Sequence, residues 1–319
     1  MHTNSDDLRR WFAGTEENEF DNRLDHRLDI LERRSDDNRW RHELRNAHVR
    51  QFSLLGPPAS DFDVELEIPT YAFIPTTESD RPRPAIVLAH GGIHDNFSTD
   101  YVSVVRELIE RGYVVVAPEY RGSTGYGREH YEAIDYGGDE IADTLAARNW
   151  VADRSDVDED RIGVVGWSHG GLHALLSIFR YPDSFATAYA GAPVSDLLER
   201  WKYKGEGYRR LYTASYHLGT SPVADPQLYR ERSPAHQAVA TDVPLRIHAA
   251  TNDGDVHRRE IESLVESLRD AGADFEYELY DDAPGGHRFE LTESRFARES
   301  REIVYDFLAN HLSPPQSER

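Results

Sequence analysis

The chain contains no cysteine, a single methionine at its first position and only two lysines, Lys202 and Lys204, among 319 residues. Without cysteine, neither a disulfide framework nor a thiolate nucleophile is possible. No run approaches the roughly 18 apolar residues that a bilayer span needs, and residues 1–10 have no apolar signal core. These absences lead us to expect a cytoplasmic protein. Positive charge is also scarce: 36 Lys and Arg face 58 Asp and Glu, a formal net charge of −22. Such a surface repels nucleic acid and anionic lipid, so neither is expected as a partner. Two accounts fit the shortage of lysine. A GC-rich coding sequence favours Arg, Asp and Ala, and adaptation to high salt favours an acidic surface whose self-repulsion is screened.

What is present suits one large α/β domain with an appendage: hydrophobic residues make up 39% of the chain. Residues 1–55 differ from the rest in being rich in Arg, Asp, Glu and Asn. Leu24, Leu28 and Leu31 share one face of a helix, and Ser35-Asp36-Asp37 is positioned to cap a second helix carrying Trp40 and Leu44. We expect a helical arm packed on the body, and this arm is the candidate surface for self-association or for covering the site. From Leu66 onward, short apolar runs at 71–74, 85–89, 113–117, 162–165, 186–190, 245–249 and 275–280 alternate with helical patterns near 101–111, 140–152, 258–271 and 293–311. That alternation indicates a mostly parallel sheet covered by helices on both faces. Residues 195–240, with Trp201, Tyr203, Tyr208, Tyr212 and Tyr216, interrupt it and read as a cap inserted after the sixth strand.

The chemistry centres on Gly166-Trp167-Ser168-His169-Gly170, which lies between an apolar strand and a helical pattern. In that context G-x-S-x-G is a nucleophile elbow, a strained turn whose neighbours must be small. A serine hydroxyl is a poor nucleophile until a base takes its proton and an acid orients the base. Behind such an elbow the acid and then the histidine follow in chain order. His287, in the glycine-flanked loop 283–289 after the last strand, is the base. Asp253 comes first after the preceding strand and is the preferred acid, with Asp255 and Asp196 as alternatives. Asp281 and Asp282 read as solvated loop charges. The oxyanion needs preorganised donors. One is the backbone N–H of His169, and the other comes from the loop His90-Gly91-Gly92-Ile93-His94, at Gly91 or Gly92. His169 cannot itself be the base, because its side chain starts the helix behind the serine. Ser123 follows a strand but has no elbow, and reads as structural. His90 and His94 sit on a glycine loop without an evident third ligand, so no metal is expected there, and no cofactor is expected anywhere.

As a set, these motifs resemble the catalytic domain of the prolyl oligopeptidase family of serine peptidases. The resemblance covers roughly residues 65–312. It rests on His90-Gly91-Gly92, the stretch from Pro118 to Gly127, Gly137-Gly138-Asp139-Glu140 leading to Trp150, and Gly166–Gly171. It also includes Tyr229-Arg230-Glu231-Arg232-Ser233-Pro234, Asp253 with Val256, and Gly286-His287-Arg288-Phe289. It implies an α/β-hydrolase fold, with nucleophile, acid and base on Ser168, Asp253 and His287. Peptidase members usually carry an N-terminal β-propeller that gates peptide access. Here about 65 residues precede the hydrolase region, and no acidic pair for a substrate amine is evident, since Glu119 reads as structural. The expectation is therefore a free-standing carboxylesterase acting on small acyl or aryl esters, with a peptidase or amidase of the same family as the alternative. The domain division expected is an arm over 1–55 and a catalytic domain over 56–319.

Overall fold

The computed structural model describes residues 23–58 and 65–314. Eight strands form one sheet in the order β1-β2-β4-β3-β5-β6-β7-β8. They are β1 (Ala47–Pro58), β2 (Glu65–Pro75), β3 (Arg83–Ala89), β4 (Val114–Pro118), β5 (Val157–Trp167), β6 (Thr187–Gly191), β7 (Leu245–Ala250) and β8 (Phe275–Tyr280). β1 and β2 pair antiparallel, as do β2 and β4, and every other pair is parallel. This is the α/β-hydrolase fold expected from the sequence.

Side-chain alternation explains why the central strands read as unbroken apolar runs: both faces are covered. Ala85, Val87, Val114 and Val116 point into one core with α4 (Glu140–Ala152), α5 (His169–Arg180) and α10 (Arg258–Ala271). Ile86, Leu88, Val115 and Ala117 point into the other with α2 (Val102–Glu110) and α11 (Arg295–Leu312). A short helix, α3 (Arg128–Glu132), lies in the loop before α4.

The arm differs from expectation in three ways. Residues 47–55 are not helical; they belong to the edge strand β1, which pairs with β2 from Ala47 opposite Pro75 onward. Ala47 and Val49 pack on one core while Phe52 and Leu54 pack on the other, so the strand period of two prevails over the helical one. Among the described residues, the helix ahead of it, α1 (Arg23–Glu43), runs unbroken through Ser35-Asp36-Asp37, where a second helix start was expected. Asp36 and Asp37 do not cap a helix start. Their carboxylates accept from the Thr99 and Tyr71 hydroxyls, at 2.6 Å each. Trp40 is fully buried and stacks on Phe97 at 5.2 Å, which fastens the end of α1 to the body. Leu28 and Leu31, by contrast, are 47% and 57% exposed, so this part of the leucine stripe does not pack on the body. Residues 1–22 of the expected arm lie outside the described residues.

Between β6 and β7 the chain leaves the sheet for α6 (Leu197–Tyr203), α7 (Glu206–Thr213), α8 (Pro226–Glu231) and α9 (Pro234–Gln237). Asp196 caps α6, its Oδ1 accepting from Leu198 and Glu199 N–H at 3.0 Å. Tyr212 and Tyr229 anchor this segment in a third core beneath it. Among the described residues no helix is long and apolar enough to cross a membrane.

Candidate active site

Ser168 stands at the end of β5 with φ 58° and ψ −117°, a conformation L-residues rarely adopt. Two glycines make the turn possible. A Cβ on Gly166 would collide with the Gly170 carbonyl, and one on Gly170 with the Ala89 carbonyl of β3. The elbow is held by Ser168 N–H donating to Gly191 O at 2.9 Å and by the Ser168 carbonyl accepting from Val194 N–H at 3.0 Å.

His287 comes to the serine from a single 3₁₀ turn, Gly286–Arg288, after β8. Its Nε2 lies 2.9 Å from Ser168 Oγ, and its Nδ1 lies 2.7 Å from Asp253 Oδ2. The other Asp253 oxygen accepts from the backbone N–H groups of Asp255 and Val256, at 2.7 and 2.8 Å. The Asp253 side chain is 3% exposed and that of His287 18%. The three residues expected from the sequence therefore meet in the arrangement in which imidazole can accept the serine proton while a fixed carboxylate sets its tautomer. The alternative acids are engaged elsewhere. Asp255 pairs with Lys204 Nζ at 3.0 Å, and Asp196 caps α6 and accepts from Ser263 Oγ at 2.8 Å. Asp281 accepts from the Thr251 hydroxyl at 2.9 Å.

The oxyanion donors are narrowed rather than simply recovered. His169 is the first residue of α5, so its N–H has no acceptor within the helix. The Gly91 N–H is already committed to the Tyr101 hydroxyl at 2.6 Å, so the expectation that it faces the oxyanion is corrected. The Gly92 N–H finds no acceptor among the described residues, so of the two glycines it is Gly92, at φ 84°, whose N–H is unengaged. Burial pushes the Tyr101 phenol up from its ordinary pKa, so its hydroxyl stays protonated at neutral pH.

The rival serine is accounted for. Ser123 is fully buried, donates to Tyr120 O at 2.7 Å and meets His90 Nε2 at 3.0 Å. Glu119 is buried too, accepting from Phe97 N–H and the Tyr126 hydroxyl, so it is structural as expected. The His169 side chain points away from the serine, toward Glu140 and His173, and these three residues form the one compact group with metal-ligand spacing among the described residues.

Substrate would enter a cleft of about 210 Å³ beside Ser168 and His287, lined also by Tyr101, Trp167, Arg200, Tyr208, Asp255 and Leu291. Arg200 and Tyr208 come from the segment after β6, the one expected to act as a cap. Beneath the cleft lies a network the sequence reading missed. Buried Glu290, three residues past His287, accepts from Trp167 Nε1 at 2.6 Å, from Ser300 Oγ at 2.6 Å and from the Tyr189 hydroxyl, and contacts His248 Nδ1 at 2.7 Å. Burial opposes its ionisation, but His248, Ser300 and Tyr189 together hold its pKa below the usual glutamate value. Its contribution to stability is then complete above the ordinary glutamate pKa of about 4.3 and is lost as pH falls through the lower folded value. Glu290→Ala leaves the buried Trp167 Nε1 and Tyr189 hydroxyl without a partner, while Ser300 Oγ keeps Tyr280 and His248; the expected cost is about 3–5 kcal/mol, read as a lowered denaturant midpoint at neutral pH. A change under about 1 kcal/mol would show the network to be dispensable.

Fold and site together define a serine hydrolase. Residues 97–314 match the prolyl oligopeptidase family, and the chain belongs to it. Acylamino-acid-releasing enzyme 1 of Oryza sativa subsp. japonica is 31% identical over 153 residues, which is 46% of this chain and 20% of that protein. Dipeptidyl aminopeptidase BIII of Pseudoxanthomonas mexicana is 27% identical over 239 residues, 74% of this chain and 34% of that one. The chain thus spans a fifth to a third of the length of these curated relatives. Among solved structures, a puromycin-hydrolyzing peptidase of Mycobacterium tuberculosis superposes with a TM-score of 0.71 at 24% identity, covering 84% of this chain and 40% of its own. An acylaminoacyl peptidase of Pyrococcus horikoshii gives 0.72 at 19% identity, covering 87% and 44%. At these identities the structural likeness concerns the fold.

Proposed function

We propose that this chain is a serine peptidase or amidase that cleaves amide bonds of short peptides through an acyl-enzyme on Ser168. The observation that carries the chemistry is the unbroken relay from Ser168 Oγ to His287 Nε2 and from His287 Nδ1 to Asp253 Oδ2. His287 takes the serine proton as Oγ attacks the carbonyl, and Asp253 stabilises the imidazolium that forms. The backbone N–H groups of His169 and Gly92 receive the oxyanion. His287 then protonates the departing amine, and water reverses the sequence to release the acid. The choice of an amide over the carboxylic ester first expected is supported by the relatives, which are named as acylamino-acid-releasing enzymes and dipeptidyl peptidases. The ester reading draws no support from them.

A substrate panel decides between the two. Aminoacyl and N-acetyl-aminoacyl 4-nitroanilides are compared with 4-nitrophenyl acetate and butyrate. Activated esters should be turned over on either reading, because the phenoxide leaves readily. The peptidase reading expects kcat/KM on the order of 10⁴ M⁻¹ s⁻¹ or more on at least one anilide. Ester hydrolysis with no measurable anilide cleavage would reject it and restore the carboxylesterase.

A further inference from the structure

Behind the elbow, on the side away from substrate, three ionisable side chains converge with no apparent role in acyl transfer. His169 and His173 are spaced i, i+4 on the first turns of α5, so their rings share one helix face. Glu140, the first residue of α4, faces them. One ligand atom from each lies within 4.8 Å of the other two. Glu140 Oε1 is 2.9 Å from His169 Nε2 and 3.5 Å from His173 Nε2. Ligands about 2.0–2.1 Å from a tetrahedral ion stand roughly 3.3 Å apart, between these two separations.

All three residues are fully or almost fully buried, at 0%, 1% and 0% exposure for Glu140, His169 and His173. Burial makes their unmet bonding costly. His169 Nδ1 and Glu140 Oε2 have no partner, and the two Nε2 atoms have only the single oxygen Glu140 Oε1 between them. The remaining atoms are fixed in the way metal ligands usually are. His173 Nδ1 meets Thr144 Oγ1 at 2.8 Å, which leaves Nε2 to face inward, and Glu140 Oε1 is held by the Gly137 N–H at 2.7 Å. A buried carboxylate with two imidazole nitrogens converging on it is a donor set suited to a borderline divalent transition ion.

We propose that Glu140, His169 and His173 form a binding site for a divalent transition metal ion, of which Zn²⁺ is the best fit, that ties the first turn of α5 to α4. The ion acts structurally. It makes no contact with substrate, and it braces the residue whose backbone N–H faces the acyl oxygen. This holds whether the enzyme prefers esters or amides.

The site is sealed, so the ion must be loaded as the chain folds. Untagged full-length protein is therefore produced in medium supplemented with Zn²⁺ or with Co²⁺, alongside His173→Phe and Glu140→Gln. Metal content by mass spectrometry should show one more ion per chain in the wild type than in either variant. With the unpartnered Glu140 Oε2 as the fourth donor beside Oε1 and the two imidazoles, the cobalt form should show the intense visible bands of four-coordinate Co²⁺, and these should be absent from both variants. The zinc-loaded wild type should melt about 5 °C above wild type made in chelator-treated medium, while His173→Phe should melt at the same temperature in both media. Equal metal content in wild type and variants, or cobalt bands that persist in them, overturns the proposal. Should either variant fail to fold, the wild-type cobalt spectrum decides alone: absence of four-coordinate bands also overturns it.

Discussion

Ser168→Ala should reduce kcat by a factor on the order of 10⁴–10⁶ while leaving the circular dichroism spectrum and melting temperature near those of the wild type. The substitution removes one oxygen from a side chain whose main interaction is with His287 Nε2. The elbow depends on backbone contacts of Ser168 with Gly191 and Val194, which alanine keeps. A fluorophosphonate should label the wild type once, at Ser168, and leave the variant unlabelled. Ser123 is buried and bonded to Tyr120 and His90, so a probe adduct there would refute both the assignment and the packing described for that loop.

Asp253→Asn should lower kcat by about 10⁴ with little change in KM, because an amide in that place favours the wrong imidazole tautomer. Two neighbours serve as controls. Asp255→Asn removes a charge in the cleft wall that pairs with Lys204 but makes no side-chain bond to His287, and Asp196→Asn weakens the cap of α6. Both should keep kcat within about tenfold of the wild type, Asp196→Asn losing about 1 kcal/mol of stability. If Asp255→Asn proves the most damaging of the three, His287 takes its partner two residues further along, and the geometry at the end of β7 is other than described.

Much of this site could be read from the sequence because its chemistry is written locally. Gly166 and Gly170 flank the serine because the turn has no room for a Cβ, and the same crowding that demands them makes them visible as a motif. The helices at Glu140–Ala152 and Arg258–Ala271 and the strand Phe275–Tyr280 were legible from periodicity and match the structure. What escaped notice depends on partners distant in the chain. β1 is a polar edge strand, and His48, Arg50, Gln51 and Ser53 conceal its alternation beside Val49 and Leu54. Gly91 looks as free as Gly92 until the Tyr101 hydroxyl is seen against it. Glu290 reads as one more acid in an acidic chain, yet its partners come from β5, β6, β7 and α11. Glu140 reads as a helix start, and its two histidines lie about thirty positions on, across a packed interface.

The loops that carry the three reacting side chains have a bearing on how this enzyme must be refolded. The serine and its histidine are 119 positions apart, and the histidine and its carboxylate 34. Each sits beyond the end of a different strand in the half of the sheet where β5, β6, β7 and β8 lie parallel. Parallel pairing of distant segments is slow, since the entropy of closing long loops is lost before the contacts that reward it are made. Helical signal can therefore return while β7 and β8 are still docking, and a chain at that point has its nucleophile without its base. Recovered turnover, rather than recovered helicity, marks the completed native state, and preparations judged by spectroscopy alone will overcount active molecules.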